Sequence, residues 1–304
     1  MLKNNLKRLG VIAGLSLTLI AAGCGSDDAA PTDDTSDSGD VNYSEELGYT
    51  ITGIEPGAGV FKAAENAVEE YGLDGWEVQA SSSGAMASAL GSAIDNEEPI
   101  VVTGWTPHWK FAKYDLKYLE DPKGVFGEEE TINTMAREGF SSDHPNAAKL
   151  LEQFKWATDD IEAVMSKIDE GATPEDAAAE WIEENEDKVN EWTDGVEEGS
   201  DAIELVYVEW DSEVSSTNVI GKVLSDLGYD VTITSLDNAV MWSTIANGDA
   251  DAMVSAWLPA THGDLYDEFK DDIEELGVNL EGAKIGLVVP EYMDIDSIED
   301  LEAK

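Results

Sequence analysis

Between residues 50 and 54 apolar and polar positions alternate, the pattern of a strand with one face buried. Glu55-Pro56-Gly57-Ala58-Gly59 breaks the alternation, and from 60 to 71 the apolar residues return at helical spacing. A strand at 76–80, a helix over about 84–96 and an apolar strand at 99–103 follow. The last runs into Gly104-Trp105-Thr106-Pro107-His108-Trp109. Strands alternating with helices predict a mostly parallel sheet with helices on its faces.

The same order is written a second time. A strand at 203–208 precedes a helix at 214–227, with Val219, Ile220, Val223, Leu224 and Leu227 on one face. A strand at 231–234, a helix at about 238–247 and a strand at 252–256 come next, ending in Trp257-Leu258-Pro259-Ala260-Thr261-His262. Trp105 and Trp257 are each followed two residues later by a proline, and they lie some 50 residues past Glu55 and some 48 past Glu209. This is an internal duplication. The stretch 146–192 between the halves reads as helices, and Thr173-Pro174-Glu175-Asp176 marks a helix start, with threonine as cap, proline in the first turn and an acid three residues on. Two similar α/β halves imply a ligand cleft between them, at the carboxyl ends of their strands.

The amino terminus departs from this pattern. Lys3, Lys7 and Arg8 precede an apolar run from 9 to 22, the n- and h-regions of a secretory signal, too short to span a bilayer comfortably. Ala21-Ala22-Gly23 leads into Cys24, the chain's single cysteine, as at a bacterial lipoprotein cleavage site. Cys24 is therefore the expected lipidated residue, and no internal disulfide is possible. From Gly25 to Asp40 the chain is Ser, Thr, Asp, Gly and Pro with little to bury, a tether between lipid and folded body. The expected division is signal 1–23, lipidated cysteine and linker 24–46, first α/β lobe 47–130, helical crossover 131–199 and second α/β lobe 200–304.

Charge narrows the partners. With 17 Lys+Arg against 66 Asp+Glu the chain carries −49, and loss of the signal removes three of the positive charges. Such a surface is a poor partner for nucleic acid. It suits a saline exterior, where the screening length falls to about 3 Å near 1 M salt.

Three indoles stand where strands end: Trp105, Trp257 and Trp210, the last after the strand 206–209. An indole face attracts a cation by about 0.5 to 2 kcal/mol, and aromatic cages suit quaternary ammonium groups, which have no hydrogen to donate. The turn 55–59 opens directly into a helix at Val60, presenting free N–H groups and a positive dipole end that suit a carboxylate. His262 stands in the loop after Trp257 and could donate a further hydrogen bond. Trp76, Trp109, Trp156, Trp181, Trp192 and Trp242 read as structural. With only His108, His144 and His262, no His-Glu-x-x-His, no Gly-x-Ser-x-Gly and no phosphate loop, neither a catalytic set nor a metal or cofactor site is expected. The remaining carboxylates are distributed like a solvated surface.

The segments 104–116, 53–59, Ala256-Trp257-Leu258-Pro259 with Thr261-His262, and Gly286-Leu287-Val288-Val289-Pro290 resemble the substrate-binding proteins of OpuA-type glycine betaine and proline betaine ABC transporters, over about 50–301. The resemblance implies an α/β, two-lobed type II periplasmic-binding-protein fold in circularly permuted order, because in many relatives the half beginning near 203 comes first. It implies an ammonium held among Trp105, Trp210 and Trp257, and a carboxylate held by the N–H groups of Gly59 and Val60 with His262. It further implies a permease and ATPase as partners, and a place on the outer face of the cell membrane, anchored through Cys24. Carnitine or choline as ligand, and an exported hydrolase using the same cleft, remain open alternatives.

Overall fold

The structure, a computed structural model, describes residues 42–304. The expected signal, Cys24 and the linker as far as 41 lie outside the described residues. Nine strands are described: β1 (Thr50–Thr52), β2 (Glu77–Gln79), β3 (Val102–Thr106), β4 (Leu116–Tyr118), β5 (Glu130–Arg137), β6 (Ala202–Tyr207), β7 (Asp230–Ser235), β8 (Ala252–Leu258) and β9 (Ile273–Pro290).

The duplication is visible in the pairing. In the first lobe β1 lies between β2 and β3, all parallel, with the helices Gly59–Glu70 and Ser83–Asp95 as crossovers. In the second lobe β6 lies between β7 and β8, also parallel, with Asp211–Asp226 and Asn238–Ala246 as crossovers. Each lobe buries an apolar core under these helices, including Ile51, Phe61, Met86 and Val102 in one and Leu205, Ile220, Leu224 and Met253 in the other. The molecule has the two-lobed α/β architecture of type II periplasmic binding proteins.

The sheet is less parallel than the alternation of elements predicts. β9 runs antiparallel to β5 over Ile273–Ala283 and then antiparallel to β3 over Lys284–Val288, so one strand serves both lobes. β5 is antiparallel to β8, and β4 to β9. The residues after the handover pack on the first lobe: the Trp76 indole donates to the Glu302 carbonyl at 2.7 Å, and the Lys304 N–H to Asp74 at 2.8 Å. Within the expected linker, Tyr43–Glu46 is a short helix on the same lobe, where the Ser44 hydroxyl accepts from the Glu302 N–H at 2.8 Å.

Of the helices between the halves, Pro174–Glu184 starts where Thr173 predicts: the Thr173 side chain accepts from the Asp176 N–H at 3.1 Å, and Pro174 follows in the first turn. Thr158–Asp169 and Pro174–Glu184 pack on the helix Asp211–Asp226. There Trp181 stacks on Trp192 at 5.7 Å and meets Trp156 edge-on, a structural use of all three.

Candidate functional site

The carboxyl ends of β1, β3, β6 and β8 meet at one apolar pocket. Trp105, Trp210, Trp257, Gly59 and Val60 line it together, with Ile54, Ala58, Thr261 and Ile285. Five of the six residues expected at the site from sequence are thus brought together. Trp105 and Trp257 occupy the next-to-last positions of β3 and β8, strands that run three and two residues further than their apolar runs suggest. Trp210 is the N-cap of the helix Asp211–Asp226.

The helix Gly59–Glu70 has Ala58 as its N-cap, and alanine offers no side-chain acceptor to the first-turn N–H groups. Those donors stand at the pocket wall. Only glycine fits at 59: a Cβ there would lie 2.5 Å from the Thr261 carbonyl oxygen and 2.7 Å from its Cα. The loop that presses on Gly59 is held by Glu130, a buried carboxylate accepting from the N–H groups of Ala260 at 2.8 Å and Thr261 at 2.7 Å, and from the Thr261 hydroxyl at 2.5 Å.

His262 stands behind the lining, stacked on Trp210 with ring centroids 5.7 Å apart and planes 11° apart. Its Nδ1 accepts from the Trp257 main-chain N–H at 2.9 Å, which places the ring proton on Nε2. Nε2 is buried and has no partner among the described residues. Burial pushes the imidazole pKa down to about 3, with a smaller push from Lys62, so the ring is neutral at physiological pH.

Each of the three pocket indoles has a polar neighbour that the sequence pattern does not reveal. Trp210 donates its N–H to Glu55, and Trp257 donates to Glu213 Oε1 at 2.7 Å. The Lys110 Nζ lies 4.3 Å from the Trp105 ring centre, and full burial pushes its pKa well below the usual lysine value. Glu213 and Glu130 are buried, contrary to the reading of the carboxylates as a solvated surface. An acid three residues into a helix is the ordinary mark of an exposed first turn. Here Ser212 and Glu213 of that turn are buried.

The lobes touch around this pocket. Asp211, on the second lobe, accepts from the Ser83 hydroxyl at 2.7 Å and the Trp109 indole at 2.9 Å, both on the first, with His108 Nε2 at 3.5 Å. Burial alone would raise the Asp211 carboxyl, but His108, Ser83 and Trp109 together hold it below the usual carboxylate range. Trp109 therefore does more than fill a core. The Glu55–Trp210 bond and an Asn238-to-Gly57 bond at 3.2 Å also cross between the lobes. The arrangement is a closed one. Among the described residues no cluster of His, Cys, Asp and Glu could hold a metal ion, and no helix is long and apolar enough to cross a membrane.

The family model for the substrate-binding domain of ABC-type glycine betaine transport systems, OpuAC, matches residues 28–184 and 201–304. The chain belongs to the OpuAC family. It is 48% identical over 302 residues to the glycine betaine/carnitine transport binding protein GbuC of Listeria monocytogenes, a match covering 98% of this chain and 99% of that one. Among solved structures, lactococcal OpuAC in its closed form with glycine betaine is 53% identical over 48% of this chain and 57% of its own, with a TM-score of 0.46. A choline-binding protein of an ABC transporter, in complex with choline, is 31% identical over 51% and 55%, with a TM-score of 0.45. OpuAC proteins are the substrate-binding components of importers, so this chain works with a transport system on the outward face of a membrane.

Proposed function

We propose that this protein captures glycine betaine, and with it proline betaine, for an ABC importer that accumulates compatible solutes against osmotic stress. The observation that carries the reading is the convergence of three tryptophans and an uncapped helix start on one apolar pocket. A quaternary ammonium group cannot donate a hydrogen bond, so a wall of polar acceptors gives it nothing. Indole faces attract it through their quadrupoles and cover its methyl groups. The carboxylate of a betaine would take the N–H groups of Gly59 and Val60 at the positive end of the helix. His262 supports the wall from behind, stacked on Trp210 and bonded through Nδ1 to the Trp257 N–H.

Membership of a substrate-binding family and the lack of a catalytic motif in the sequence favour binding over hydrolysis in this cleft. The uncapped helix start favours ligands with a carboxylate. Choline would leave those donors unsatisfied, at a cost of about 1–3 kcal/mol for each buried group, whereas carnitine would satisfy them. Cys24, by its place after the signal, would carry the lipid that keeps the protein beside its permease and ATPase.

Replacing Trp105, Trp210 or Trp257 singly by alanine tests the site. Each change is expected to cost roughly 1 to 2 kcal/mol, five- to thirty-fold in Kd for glycine betaine, with the fold retained. Unchanged affinity in all three variants would contradict the cage.

A further inference from the structure

Glu213 is the unexplained ionisable group of this site. It has no exposed surface, it lies in the first turn of the helix Asp211–Asp226, and its Oε1 accepts the indole N–H of Trp257, whose ring lines the pocket. Oε2 has no partner among the described residues, and neither has the Ser255 hydroxyl beside it. A carboxyl in such a place has two demands on it. Burial without a counter-ion favours the protonated form. A cation on the other side of the indole would favour the ionised form, because charges interact over several ångströms in a dry interior and because a carboxylate on the N–H makes the ring more electron-rich.

We propose that Glu213 is the buried counter-charge of the cage: when a quaternary ammonium ion settles against Trp257, the O–H bond of the Glu213 carboxyl breaks, its proton passes to solvent, and ligand capture is thereby coupled to proton release. This rests on the reading of the pocket as a betaine site and adds a residue that sets its affinity.

The surroundings of Glu213 agree with this role. Burial pushes its carboxyl up to about 8, the Ser255 and Trp257 side chains pull the other way, and no charged group contributes. Of the elements packed on its helix, β8 presents only Ser255 and the Trp257 indole to the carboxyl. Neither β6, β7 nor the helices Thr158–Asp169 and Pro174–Glu184 bring a charge that shifts it. Asp211 stands two residues earlier and is engaged by Ser83 and Trp109. Elsewhere around the cage the titratable groups are Glu55 on the Trp210 indole, neutral His262 and Lys110 over Trp105. The empty pocket therefore holds Glu213 protonated near neutral pH, and the occupied pocket lowers its pKa. By linkage, affinity rises with pH between the bound and free values and levels off above about 8, with a limiting slope of about tenfold per pH unit for one proton.

Calorimetric titration of the purified protein with glycine betaine, in buffers of different ionisation enthalpy at pH 6, 7, 8 and 9, counts the protons directly and needs no variant. Release of a fraction of a proton at pH 7 is expected, together with an affinity at least about fivefold higher at pH 9 than at pH 6. E213Q, which keeps an oxygen acceptor for the Trp257 N–H, is expected to lose both the proton release and the pH slope. Binding without proton release in the wild type overturns the coupling and leaves the betaine reading standing. Proton release that persists in E213Q assigns the proton to another group, with Lys110 the nearest in kind, and also overturns it. Absence of binding at every pH overturns the betaine reading and the coupling with it.

Discussion

His108 and His262 are both shut away from water, and burial pushes their pKa values down to about 4 and about 3, with Lys110 and Lys62 adding to the respective shifts. The unfolded chain binds a proton on each near pH 6.5, while the folded chain does not. Their contribution to stability is therefore present in full above about pH 6.5 and is lost as pH falls toward 4 and 3, at about 1.4 kcal/mol per pH unit for each ring. Nitrogen-15 NMR of the imidazoles checks this. Both rings are expected to keep the neutral pattern down to about pH 5, with His262 protonated on Nε2, and an ordinary midpoint near 6.5 for either would contradict the burial. At this scale the meeting of Trp105 and Trp257 at one pocket was legible because the two recur in a repeat. Glu213, Glu130 and Asp211 were not, because a carboxylate in the sequence looks the same on a wet surface as inside a pocket wall, and only the tertiary fold turns these three inward.

The first turn of the helix Asp211–Asp226 works as a clasp. Asp211 gathers Ser83 and Trp109 of the other lobe while the neighbouring Trp210 closes the pocket and bonds Glu55. Hydrogen bonds to an ionised group are worth about 1.5–3 kcal/mol each when water cannot replace them. Asp211→Ala is expected to loosen the closed state and weaken glycine betaine binding on the order of tenfold, mainly through faster dissociation. Stopped-flow displacement measures this, and an unaltered dissociation rate would show that the clasp does not hold the lobes. The repeated strand–helix units could be read from periodicity, but β9 could not. Its pairing with β5 is interrupted by three register shifts, one of which passes over Gly282 at φ +79°. Each bulge resets the two-residue alternation on which strand reading depends. The same irregular strand carries the chain from one lobe to the other.

For the whole molecule, charge is the dominant surface property. With 66 acidic against 17 basic residues, repulsion opposes the compact state. The ion pairs of the fold, such as Arg137 with Asp143 and Asp251 at 2.9 Å, engage only a small part of this excess. Screening should therefore stabilise the fold. The melting temperature is expected to rise by several degrees between dilute buffer and about 1 M sodium chloride, where the screening length is about 3 Å. An unchanged or lower value would contradict this. A zwitterionic ligand brings no net charge of its own, so on the proposed reading selection rests on Trp105, Trp210 and Trp257. A quaternary ammonium sheds little hydration on entering a box of indoles, while a primary ammonium would abandon strong water hydrogen bonds with nothing to replace them. The most direct measurement is calorimetric titration of the protein with glycine betaine, dimethylglycine, sarcosine and glycine at one pH and salt concentration. Affinity is expected to fall with each methyl group removed, until glycine hardly binds, whereas equal affinity for glycine and glycine betaine would contradict both the cage and the function proposed for it.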